Sequence, residues 1–158
     1  MRVYPMSPIA ARHARRVEVR NLALRLMGQF GLQDWTFVFN KRKRALGLCR
    51  YTTKTIELSI FLVDGNSDEE VRDTLLHEIA HALVGPGHGH DSVWKVKCAE
   101  VGARPERCGE AEMPEGRWKA SCPACGTAFT RHRRPKTLGG WSCRGCGPEK
   151  GKLTWGFG

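Results

Sequence analysis

Nothing constrains this chain more than five residues near its middle, His77-Glu78-Ile79-Ala80-His81. Two imidazoles four residues apart share a face only on a helix, where they stand one turn apart and reach a common point. The flanks agree with a helix. Ser67, followed three residues later by Glu70, forms a capping box, and Asp68 and Glu69 place negative charge where the helix dipole favours it. Val71, Leu75, Ile79 and Leu83 recur every four residues, and Gly85-Pro86-Gly87 ends the run. The H-E-x-x-H pattern in such a helix points to zinc held by His77 and His81, with Glu78 beside the water that completes the site.

A catalytic zinc takes three protein ligands and keeps one position open, so a third ligand comes from elsewhere. His88 and His90 stand in the loop after the helix, and Glu100 lies further on. The metzincin spacing needs glycine at 84 and histidine at 87, where the chain has Val84 and Gly87. The residues alone leave His90, His88 and Glu100 open.

Around this helix the pattern is α+β. Ser7 and Pro8 begin a basic helix that runs to about Phe30, with Ala14, Val17, Leu24 and Met27 expected inside and Arg12, Arg15, Arg16 and Arg20 in water or against an anionic partner. Trp35 to Phe39, Ala45 to Tyr51 and Ile56 to Ile60 have strand character and suggest a small, mostly antiparallel sheet. A further helix begins near Asp91, carries Trp94, Cys98 and Val101 on one side, and ends at Gly102. The stretch from Arg104 to Arg117 reads as a linker, which divides the chain into a domain over 1–110 and a tail over 117–158.

The tail carries Cys122-Pro123-Ala124-Cys125 and Cys143-Arg144-Gly145-Cys146, two knuckles seventeen residues apart. Four thiolates at this spacing close on one zinc as a ribbon, with Gly126 and Gly147 where the backbone must turn. Such a closed site is structural and folds a segment too small for a core of its own. Cys49, Cys98 and Cys108 have no partner spacing and read as buried or idle thiols.

From Leu75 to Trp94, LLHEIAHALVGPGHGHDSVW resembles the SprT-like zinc metalloprotein family, which includes the Spartan proteases. Gly89-His90-Asp91-Ser92-Val93-Trp94 fits the family's Gly-His and following aromatic. Trp35, Phe39-Asn40, Leu46-Gly47 and Ile56-Glu57-Leu58-Ser59 fit its upstream strands. The resemblance continues through the ribbon to Leu153. It implies a minimal zincin-like metallopeptidase domain followed by a four-cysteine ribbon, and it selects His90 as third ligand. It also implies two zinc ions, one catalytic and one structural, and a DNA-associated role.

Charge adds to this. Twenty-six Lys and Arg against 16 Asp and Glu give a net +10, distributed as +9 over residues 1–63, −7 over 64–115 and +8 over 116–158. Basic ends suit a polyanion such as DNA. In the ribbon, Phe129-Thr130-Arg131-His132-Arg133-Arg134 on a strand would set Phe129, Arg131 and Arg133 on one side, so Arg131, Arg133 and Arg134 are candidate nucleic-acid contacts. Lys41 to Arg44 are four consecutive cations at a turn, either solubilising or DNA-facing. No apolar run is long enough for a membrane span and the N-terminus lacks a secretory core, so a soluble, cytoplasmic protein is expected. The sequence leaves oligomeric state open.

The chemistry expected is zinc-assisted peptide hydrolysis, with Glu78 as general base and Tyr51 or His88 as a further donor. The resemblance implies a DNA-bound or DNA-crosslinked protein as substrate, and it would lie along the sheet edge. The alternative is a non-catalytic zinc protein that binds nucleic acid or transcription machinery.

Overall fold

In the computed structural model, which describes residues 7–105 and 111–158, Ser7 caps α1 (Pro8–Gln29), its hydroxyl accepting from the Ala10 amide at 3.2 Å. The expected inner face is rotated. Val19, Ala23, Leu26 and Met27 are buried, while Val17 and Leu24 are 45% and 51% exposed. Arginines explain the turn, because their aliphatic stems cover apolar surface while their heads find partners. Arg15 donates to the Asn66 carbonyl at 2.6 Å and pairs with Asp68 at 2.8 Å. Arg16 grips both carboxylate oxygens of Asp64, and Arg20 lies against the rings of Phe37 and Phe39. Of the four arginines expected in water or against an anionic partner, Arg15 and Arg16 meet carboxylates of the same chain and Arg20 meets two aromatic rings.

The first sheet contains β1 (Thr36–Asn40), β2 (Gly47–Arg50) and β3 (Thr55–Ser59) in the order β1-β3-β2. It is mixed: β3 runs parallel to β1 and antiparallel to β2. The reason is burial. Ile56 and Leu58 are both fully buried, so β3 takes the centre, and two strands that point the same way become neighbours. β2 is left as an edge.

A short helix, α2 (Ile60–Gly65), follows β3 directly and was not expected. Its signal is Ser59, whose hydroxyl accepts from the Phe61 amide at 3.2 Å and donates to the Arg42 carbonyl at 2.6 Å. Next comes α3 (Asp68–Val84), capped by Ser67, which accepts from the Glu70 amide at 3.3 Å. Glu70 does not complete the capping box. Its carboxylate takes Arg104 Nη2 at 2.6 Å instead. Helix α4 (Ser92–Val101) has Asp91 as its cap and buries Trp94, Cys98 and Val101 in the same core as Leu75, Leu76 and Ile79.

The chain divides into two compact units, Met1–Met113 and Pro114–Gly158. The second contains β4 (Trp118–Ser121), β5 (Ala128–Arg131), β6 (Trp141–Ser142), α5 (Gly147–Lys150), β7 (Lys152–Leu153) and β8 (Gly156–Phe157). Its sheets are antiparallel, β5-β4-β8 and β6-β7, around a core of Ala120, Cys122, Cys143, Leu153 and Trp155. The architecture is α+β. Among the described residues no helix is long and apolar enough to cross a membrane. Cys108 and part of the expected linker lie outside the described residues.

Candidate active site and metal centres

His77 and His81 extend from one face of α3, and the loop into α4 brings His90 against them. The Nε2 atom of His90 lies 3.0 Å from that of His77 and 3.2 Å from that of His81. Zinc–nitrogen bonds of 2.0–2.1 Å at tetrahedral angles would separate ligand nitrogens by about 3.3 Å, so the three donors fit that ion. Burial, then the neighbouring imidazoles, pushes the pKa values of His77 and His81 down to about 4. Both rings are therefore neutral at neutral pH, the form that ligates. Beneath them lies Trp94, fully buried, with its ring 4.6, 5.1 and 4.5 Å from the rings of His77, His81 and His90. The sequence marks Trp94 as a core position, and the geometry makes it the floor that orients all three imidazoles.

The other two candidates for third ligand lie apart from this cluster. His88 borders the same cleft, but its Nδ1 is 2.8 Å from Asp91 Oδ2. Glu100 pairs with Lys97 on α4.

Glu78 points into the cleft and is only 7% exposed. Burial alone pushes its carboxyl up to about 8. A dication at the adjacent imidazoles would favour its charged form. Opposite stand Gly47 and Cys49 of β2 and, just beyond the strand, Tyr51. Burial, then Cys49 and Glu78, raises the Tyr51 phenol to about 12, and burial, then Glu78, raises the Cys49 thiol to about 12. Both are neutral groups in the cleft wall. Cys49 thus lines the candidate site, which an isolated cysteine in the sequence did not signal. Cys98 is buried and its thiol meets the Arg104 carbonyl at 3.3 Å.

In the second unit, Cys122, Cys125, Cys143 and Cys146 bring their Sγ atoms within 4.8 Å of one another. The Cys125–Cys143 separation is 3.8 Å, about what zinc–sulfur bonds of 2.3 Å impose on a tetrahedron. The knuckles repeat one turn: the Gly126 amide bonds the Cys122 carbonyl at 2.9 Å, and the Gly147 amide bonds that of Cys143 at 2.9 Å. Both glycines have positive φ, 73° and 72°, a conformation that a side chain would strain. Hydrogen bonds from Thr127 lower the Cys125 thiol to about 6, whereas hydrogen bonds with Cys125 and Cys122 raise the Cys146 thiol to about 12.

The arginine segment departs from its expected arrangement. β5 ends at Arg131, so the alternation that would align Arg133 with Phe129 and Arg131 stops short, and Phe129 packs on the ribbon core. Arg131 lies over Trp141 at 4.5 Å and Trp155 at 5.7 Å, and Arg134 over Trp118 at 5.6 Å. Arg133 is exposed.

Residues 18–114 match the SprT-like family, and the chain belongs to it. The match ends before the ribbon. Among solved structures, the metallopeptidase zymogen jannalysin of Methanocaldococcus jannaschii is similar over 52% of this chain and 88% of its own, at 15% identity and a TM-score of 0.45. No curated protein matches the chain.

Proposed function

We propose that this chain is a zinc-dependent peptidase acting on proteins bound or crosslinked to DNA, with zinc held by His77, His81 and His90 and a structural zinc in the ribbon. One observation carries this reading: three imidazole nitrogens and the buried Glu78 carboxylate open into one cleft beside the edge strand β2. His77, His81 and His90 would hold a zinc ion there, and it would supply Lewis-acid chemistry for the scissile carbonyl and the attacking water. Glu78 accepts a proton from that water and delivers it to the leaving amine nitrogen. The free edge of β2 takes an extended peptide as an added strand, and the neutral Tyr51 phenol offers a hydrogen bond to the same cleft.

Recruitment to DNA rests on the ribbon. Residues 116–158 carry a net +8, and Trp141 and Phe157 are 38% and 65% exposed. Arg131 stacked on Trp141 pairs a charge for phosphate with a face for a base, and Arg133 and Arg134 extend the positive surface. The basic run at Lys41–Arg44 is exposed and Arg44 borders the cleft.

The test is cleavage of a DNA-binding protein with and without single-stranded and double-stranded DNA, alongside zinc analysis. Glu78→Gln is expected to retain zinc and lower kcat by at least about a thousandfold. Cleavage at the wild-type rate by that variant removes the mechanism, and an inactive wild-type chain that still binds DNA favours a non-catalytic binding protein. Deleting residues 117–158 is expected to weaken DNA binding and flatten its salt dependence; unchanged binding moves the contact to the first unit.

A further inference from the structure

We infer that Gly47 is the positioning residue for Glu78: lacking a side chain, it lets β2 lie flush against the carboxyl arm and fixes where that arm sits in the cleft. Glu78's role as base rests on the peptidase reading; the contact does not. A Cβ on residue 47 would stand 2.7 Å from both Cγ and Oε1 of Glu78 and 3.0 Å from Cδ. Carbon atoms pack at about 3.5–4.0 Å, so that space is already filled by Glu78.

Backbone conformation is not the reason for a glycine here. Gly47 is absent from the residues with positive φ, and an alanine adopts the same backbone without strain. Strand propensity argues against glycine, which weakens a strand and gives it nothing to pack. What position 47 needs is the missing volume.

Both backbones are tied to the core. β2 is registered on β3 with Gly47 opposite Leu58, and Leu58 is fully buried. On the other side, α3 carries Glu78 between Leu75 and Ile79, both fully buried. A methyl group at 47 therefore displaces the movable part, the Glu78 arm, away from the edge strand where substrate would lie.

The experiment is a double-mutant cycle in the full zinc-loaded chain: wild type, Gly47→Ala, Glu78→Ala and the pair. Gly47→Ala is expected to lower the thermal midpoint by about 5 °C in the wild-type background and by about 1 °C or less beside Glu78→Ala, where the space is vacant. Equal losses in both backgrounds overturn the inference, since glycine then serves the strand itself. If Gly47→Ala does not fold, recovery of the fold in the pair supports the contact and failure of both overturns it. In the peptidase assay Gly47→Ala is expected to lose about a hundredfold in kcat with KM and zinc content unchanged, as a displaced base would. Unchanged kcat overturns the positioning role. A wild-type chain that cleaves nothing ends the peptidase reading, and the thermal cycle then decides the contact alone.

Discussion

Glu57 is a charged side chain in the middle of the most buried strand. It is 7% exposed, takes a hydrogen bond from Asn40 Nδ2 on β1 at 2.8 Å, and pairs with Arg50 on β2. One carboxylate thereby ties all three strands. Burial works against its charge, but the hydrogen bonds from Arg50 and Asn40 together outweigh it and hold the carboxyl below its ordinary value. A folded value below the unfolded one means that this stabilisation is complete above the unfolded pKa, about 4.3, and is lost as pH falls through the folded one. Glu57→Gln is expected to cost about 1–2 kcal/mol at neutral pH and to soften the acid limb of stability, read as thermal midpoint against pH. An unaltered acid limb assigns that limb to other carboxylates. In the sequence Glu57 is simply the polar member of an alternation. Its partners come from strands 7 and 17 residues away, which no local pattern reveals.

At the scale of elements, Asp91 has two tasks. Its Oδ1 accepts from the Trp94 amide at 3.0 Å to cap α4, and its Oδ2 meets His88 Nδ1 at 2.8 Å. Both bonds brace the loop that delivers His90. Asp91→Ala is expected to destabilise by about 1 kcal/mol and to speed zinc loss to a chelator, whereas Asp91→Asn retains the cap and most of the zinc. Zinc release at the wild-type rate in the alanine variant would detach the loop from the site. Elements read well from the sequence where one period dominates. The bounds of α3, the buried side of α4 and the caps Ser7, Ser67 and Asp91 follow from local chemistry. Reading failed where long polar side chains do apolar work: on α1, Arg15 and Arg16 are half-buried against Asp68 and Asp64 and the exposed Arg20 lies over Phe37 and Phe39, positions that hydropathy counts as surface. α2 was hidden because its apolar residues continue those of β3.

The two units are expected to depend on metal to different degrees. Among the described residues, nineteen form the buried apolar core of the first, while the ribbon has five, two of them cysteines of its metal cluster. Chelation is therefore expected to unfold the ribbon and leave the first unit folded, with two-dimensional NMR collapsing for residues 117–158 only. Loss of dispersion in both units at once would make the first metal-dependent too. The candidate site was legible in outline, since helical spacing unites His77 and His81 and knuckle spacing unites the cysteines. Trp94 as floor and the Gly47 contact were not, because each is a meeting of elements whose approach only the packed core sets.

A sheet edge such as β2 can pair with any extended chain, including the same strand of a second copy. β2 is four residues long, Arg50 closes one end, and Lys41–Arg44 stand exposed before the other. Two such edges brought side by side would set cation against cation. Self-association through β2 is therefore expected to be weak, and a concentration series in sedimentation that shows a dimer lost on mutating Arg50 or Lys41–Arg44 to alanine would contradict it.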